Sequence, residues 1–459
     1  MARASIRIVI IIIGAMLFTA GAFAQPRLPK GYFWEKLPNG LEVLVIENSK
    51  VPLATIEIAV KNGSYTEDAE YNGLSHLFEH MFFKANRDYP TQEKFLARTQ
   101  QLGALWNGTT NVERVHYYFT LGKDSLKAGL KLMNAAIRFP LYRAEDMAKE
   151  RPVVDGEFQQ LESDPNFQLW FEVQKHLWGD LLSRKNPIGI HDVINTATAE
   201  KMLVIKNKFY LPNNSLLTIC GDVKHGEAFA LAESIFGDWA RSDFDPFVKY
   251  PLPAFKPLSK SEYFVKEATI AQTPNMQFSW QGPSYATDSA SVVAADVFST
   301  IVGLNSSRLQ QALVDKGLAS SVQVNYTTCK YVGPIDILIE PNPNKLKECY
   351  TEFVNQLSHF ADADYFTDEQ LKDAKAILMR QGIHSKEKPS DLPAQVSFDW
   401  CSTSLSFFTD LDKNYQKVTR LDIARYLDKY LTNKPMVAGL IIKPELSKQV
   451  NAVSFFTAR

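Results

Sequence analysis

Four prolines, at positions 246, 251, 253 and 257, fall between Phe244 and Lys260. Proline fixes φ and removes a backbone donor, so such a stretch continues neither a helix nor a central strand. We read 244–262 as a linker between two parts of comparable length, 25–243 and 263–459. The chain has 459 residues, more than one hydrophobic core usually serves, so size alone also asks for a division.

Each part mixes two periodicities. Leu41 to Ile46 and Thr55 to Val60 read as neighbouring strands around a turn, and Val115 to Leu121 and Leu216 to Cys220 as further strands. Helices are expected near 73–83, over 124–138 and over 145–162. After the linker, strands are expected at Gln277 to Trp280, Gly333 to Ile339 and Met436 to Ile442, and helices at Ser291–Gly303 and Glu369–Ile383. The expected class is two α+β domains of one type. Their similar lengths suggest a duplication, although no strong internal repeat is visible.

Residues 1–24 read as a secretory signal peptide. Arg3 and Arg7 precede an apolar run from Ile8 to Ala20, too short to span a bilayer comfortably, and Ala22-Phe23-Ala24 fits a cleavage site before Gln25. The mature chain is then exported, with no membrane span after signal removal. Its 50 Lys and Arg nearly cancel 51 Asp and Glu, which gives no electrostatic case for nucleic acid. Cys220, Cys329, Cys349 and Cys401 form no C-x-x-C pair and read as buried small hydrophobes, with any disulfide pairing left open.

The chemistry concentrates at His76-Leu77-Phe78-Glu79-His80. On a helix, residues i and i+4 stand one turn apart on one side, so two imidazoles can share one ion. Glu79 lies angularly near His80, where a carboxylate can take a proton from a metal-activated water. Leu74, Leu77, Phe78, Met81 and Phe82 form one apolar stripe, and at 100° per residue the two histidines and Glu79 fall away from it. A catalytic zinc site needs a third protein ligand. Glu150 and Glu157, seven apart, share a helix face, but Asp155, Glu162 and Asp164 compete on spacing alone. Pro152, inside that acidic segment, is unusual in a helix unless it sits near the first turn, and it slightly weakens the placing of Glu150 and Glu157 on one continuous helix. The other histidines are scattered, and His116, within a strand, reads as packed.

The chain resembles the pitrilysin-type, or inverzincin, metallopeptidases, which include insulin-degrading enzymes and mitochondrial processing peptidases. Gly63-Ser64 followed by Asn72 to Met81 is similar to the family signature. Gly103 to Thr110, with Tyr118 following, is similar to its substrate-edge strand. Glu150-Arg151 with Glu157, 77 residues after His80, is similar to its distal acidic motif. The resemblance implies two similar α/β-sandwich domains forming one half of a clamshell. It implies one zinc ion per chain on His76, His80 and Glu157, with Glu79 as general base and Glu150 as an accessory acid. It implies that Leu105, Trp106, Asn107, Gly108 and Thr109 hold an extended peptide by backbone pairing. One departure stands out. Active clamps of this family carry an Arg and a Tyr, seven apart, in the domain opposite the zinc. Here Leu313 or Val314 stands at the first place and Ser320 at the second, with Arg308 read as a local structural arginine. The expected protein is an exported, periplasmic peptidase subunit whose homologous partner supplies that pair. A non-catalytic subunit and a self-sufficient homodimer are the alternatives.

Overall fold

The structure is a computed structural model that describes residues 28–384, 388, 390–451 and 454–456. The signal-peptide reading of residues 1–24 lies outside the described residues. Among the described residues eleven strands form two sheets. The first contains β1 (Tyr32–Lys36), β2 (Glu42–Glu47), β3 (Leu53–Val60), β4 (Leu105–Thr110), β5 (Val115–Gly122) and β6 (Ser215–Gly221), in the order β1-β2-β6-β3-β5-β4. The second contains β7 (Glu262–Glu267), β8 (Asn275–Gln281), β9 (Ala319–Tyr326), β10 (Pro334–Pro341) and β11 (Val437–Ile442), in the order β7-β11-β8-β10-β9.

The expected adjacency of the Leu41–Ile46 and Thr55–Val60 strands is wrong. β6 runs between them, parallel to β2 and antiparallel to β3. Every residue of β6 is buried, so this strand must be flanked on both edges and covered on both faces. A strand arriving some 150 residues later therefore displaces the hairpin that the short connection suggests.

The second sheet repeats the first with one strand fewer. β11 is parallel to β7 and antiparallel to β8, β8 is antiparallel to β10, and β10 is antiparallel to β9. This is the order and sense of β2, β6, β3, β5 and β4. The suggested duplication is thus present in topology although the sequence shows no strong internal repeat. Each sheet packs its own helices on one face, giving two large cores.

The other faces are covered by exchange. Helix Leu392–Ser402, from the second part of the chain, lays Leu392, Val396, Trp400 and Cys401 on Leu44, Ile46, Leu216 and Cys220 of the first sheet. Helix Pro165–Trp178, from the first part, lays Leu169, Val173 and Leu177 on Val437 and Ile441 of the second. The Pro-rich stretch opens with a short helix, Pro246–Lys249, because proline is well placed in a first helical turn. Residues 250–260 carry no strand or helix. All four cysteines are free and buried.

Candidate metal centre

The apolar stripe Leu74, Leu77, Phe78, Met81 and Phe82 is fully buried, and it seats helix Leu74–Phe82 on the first core. The helix starts at Gly73, whose φ of 96° favours glycine. A Cβ there would stand 2.6 Å from the Gly189 Cα. Gly73 offers no side-chain cap, and Glu67 replaces it: its carboxylate accepts from Gly73 N at 2.8 Å and Ser75 N at 2.7 Å. Burial pushes the Glu67 carboxyl up to about 7 against these hydrogen bonds. The sequence reading did not single out Glu67, since an acid several residues before a helix carries no periodic signal.

His76 Nε2 and His80 Nε2 stand 3.3 Å apart, and Glu157 Oε2 lies 3.6 Å from each. Among the described residues this is the one group of three or more His, Cys, Asp or Glu side chains whose donor atoms converge as a metal site requires. The triangle fits zinc. Zn–N and Zn–O bonds of about 2.0–2.2 Å in tetrahedral geometry place two donors about 3.3–3.6 Å apart. His76 is suited to be a neutral donor: burial, and then His80, push its imidazole down to about 3. Its Nδ1 is buried without a hydrogen-bond partner.

Glu150 Oε1 lies 2.9 Å from His80 Nδ1, and its other oxygen pairs with Lys84. An N–H on His80 Nδ1 would leave Nε2 with its lone pair toward the triangle. Burial works against a charged His80, but Glu150, Glu157 and Glu79 outweigh it and hold its pKa above the ordinary value. Glu150 and Glu157 lie on a single helix, Ala144–Glu162, that runs through Pro152. The helix expected over 145–162 is thus present, with Pro152 inside it. The rival acids are engaged elsewhere. Asp155 and Glu162 bond the two ring nitrogens of His191, and Asp164 caps the next helix through Asn166 N.

Glu79 is 9% exposed, and its Oε2 accepts a 2.8 Å hydrogen bond from Thr110 Oγ1. Burial raises its pKa against that bond. Thr110 ends β4 and was not among the residues singled out by role. Among the described residues β4 pairs only with β5, so its other edge is open. Along it Leu105 is 73% and Trp106 38% exposed, Asn107 and Thr109 are exposed, and Gly108 is buried. A Cβ on Gly108 would meet Glu79 Cγ at 2.8 Å, so the glycine makes room for the carboxylate. At the other expected place, Leu313 is buried in the second core, Val314 packs against that core, and Ser320 Oγ bonds Glu340 O. Arg308 pairs with Asp364 at 3.7 Å. His116 is buried 3.2 Å from Glu57.

Two sheet-and-helix units of one topology, with two helical histidines and a glutamate from a second helix facing one point, are the arrangement that the resemblance to clamshell zinc peptidases implies. Residues 42–181 match the family described as Insulinase (Peptidase family M16), and residues 196–378 match the Peptidase M16 inactive domain. The chain belongs to peptidase family M16. Zinc protease PqqE of Helicobacter pylori is 23% identical over 424 residues, 90% of this chain and 94% of that one. The mitochondrial-processing peptidase subunit beta of Saccharomyces cerevisiae is 20% identical over 415 residues, 87% of this chain and 89% of that one. Among solved structures, a protease from Helicobacter pylori superposes with a TM-score of 0.80 at 22% identity, covering 91% of this chain and all of that one. The periplasmic protease PqqL from Escherichia coli gives 0.71 at 15% identity, covering 92% of this chain and 49% of that one. The same fold thus occurs both as a separate chain and as half of a longer one.

Proposed function

We propose that this chain is the zinc-bearing subunit of an exported, periplasmic endopeptidase that hydrolyses extended or unfolded peptides. The observation that carries this reading is the 3.3–3.6 Å triangle of His76, His80 and Glu157 donors, with the Glu79 carboxylate beside it and an open strand edge alongside. One zinc ion held by those three residues would supply Lewis-acid polarisation of a peptide carbonyl and of a water. Glu150 fixes the His80 ring. Thr110 holds one Glu79 oxygen and leaves the other to take a proton from the attacking water and pass it to the leaving amine. The β4 edge, Leu105 to Thr109, pairs with the substrate backbone, which favours extended peptides over particular sequences. The domains are 25–243 and 263–459 about the 244–262 linker, behind a cleaved signal at 1–24. Among the described residues no single helix is long and apolar enough to cross a membrane.

The active species is a heterodimer with a homologous partner that brings an Arg and a Tyr. Leu313, buried, and Ser320, bonded to Glu340, cannot grip a peptide from the second part of this chain. Glu79→Gln tests the chemistry. Gln keeps the shape but takes no proton, so zinc should stay near one per chain while peptidase activity falls at least roughly a hundredfold. In Glu157→Ala zinc should be lost. Near-normal turnover of Glu79→Gln would remove the general-base role, whereas a zinc-loaded wild type that cuts no peptide even with its partner would favour the non-catalytic reading.

A further inference from the structure

The turn between β4 and β5, residues 111–114, follows Thr110 directly and is closed by Asn111 N donating to Arg114 O at 2.7 Å. It carries two charged side chains, Glu113 at 3% and Arg114 at 6% exposure. Both point into the other part of the chain, and at different elements. The Glu113 carboxylate accepts from Lys330 N at 2.6 Å and Tyr331 N at 3.2 Å, in the loop between β9 and β10. Arg114 Nη1 donates to Ala394 O and, at 2.8 Å, to Ser397 Oγ, on the exchanged helix Leu392–Ser402. Burying two charges is costly, and apolar side chains would join the same surfaces more cheaply. What directional bonds add is position. The backbone they fix continues into Thr110, whose hydroxyl holds Glu79.

We propose that Glu113 and Arg114 are positioning residues through which the second part of the chain sets the place of Thr110 and hence of the Glu79 carboxylate. The inference rests on the general-base reading of Glu79. It gives the second domain a share in catalysis although it contributes no group to the metal centre, and it makes the exchanged helix more than a cover.

The test is steady-state kinetics on an internally quenched fluorogenic peptide, well below the melting temperature, with the partner subunit present if the lone chain is inactive. Arg114→Lys and Ser397→Ala should each lower kcat about tenfold with KM changed less than about threefold and zinc content unaltered, since displacing a reacting group by a fraction of an ångström acts on the chemical step. Thr110→Val, which removes only the hydroxyl's bond, should act in the same direction. In the Thr110→Val background Arg114→Lys should lower kcat by less than about twofold further, because both changes act on one carboxylate. Normal kcat with a lowered melting temperature would reduce the pair to structural glue and overturn the inference, as would effects that multiply in full. Should Arg114→Lys fail to fold, Ser397→Ala, which deletes one hydroxyl from the far side, decides the matter alone. Glu79→Gln separates the two failures. If it stays active, the general-base reading falls. If it is inactive while Arg114→Lys and Ser397→Ala turn over normally, only the present inference falls.

Discussion

His80 is held from two sides: its Nε2 faces His76 and Glu157, and its Nδ1 faces Glu150. The second contact selects the ring orientation that the first requires. Glu150→Ala should therefore weaken zinc affinity by about 10–100-fold without removing a ligand, as loss of a carboxylate behind a metal-binding histidine typically does. Glu150→Gln, whose amide oxygen can still accept from Nδ1, should lose less. Competition with a chelator of known affinity reads both, and equal affinities for wild type and Glu150→Ala would refute the orienting role. The same residue pairs with Lys84, so the Ala variant also leaves a partly buried ammonium without this partner.

Helix Tyr285–Gly303 in the second part shows what one partly buried carboxyl does to an element. Asp296 accepts from Tyr415 OH at 3.1 Å, yet burial, with Asp399 adding, pushes its carboxyl up to about 7. A carboxyl whose folded pKa exceeds its unfolded value keeps its proton in the fold where the unfolded chain has released it. Its contribution to stability therefore falls as pH rises from about 4 to about 7. Asp296→Asn keeps an acceptor for Tyr415 and removes the titration. The variant should melt close to wild type near pH 4 and a few degrees higher near pH 8. Thermal melts at the two values check this, and a gap that does not widen with pH would contradict it.

The two halves are joined by exchanged helices, and Trp400 is the bulkiest side chain that helix Leu392–Ser402 brings to its contact. Its Nε1 donates to Glu42 Oε2 at 3.0 Å, and Lys61 Nζ sits 3.9 Å from its ring centroid. Trp400→Ala should cost about 3–5 kcal/mol, read as a lowered urea midpoint. A change within error would mean that the exchange holds little of the molecule together. At the next scale up, the lone chain should bind zinc but cut peptides weakly, and a similarly sized subunit carrying an Arg–Tyr pair should raise the rate. Size measurement and activity with and without that subunit test this. A partner-free preparation whose rate no added chain can raise would point to the self-sufficient form. Restoring Ser320→Tyr alone should not rescue the lone chain, because Leu313 at the paired position faces the core.

Within a helix or strand, the backbone repeat alone sets the angle between residues a few positions apart. That is why His76 and His80 could be placed on one side of Leu74–Phe82, and its apolar stripe on another, before any fold was known. The same holds for the identities of β3, β5 and β6. Distances across tens of residues obey no such repeat. Periodicity left Glu157, Asp155, Glu162 and Asp164 equivalent, and family likeness alone preferred Glu157. In the fold, His191 and a helix cap occupy the other three. Likewise β6 enters between β2 and β3 because a strand buried along its whole length needs two neighbours, and a short loop cannot reveal that. Glu67 at the helix start, Thr110 at Glu79 and the exchanged helices belong to the same group. Each is a contact between segments whose separation in sequence says nothing about their separation in space, so only the packing of the whole chain could decide it.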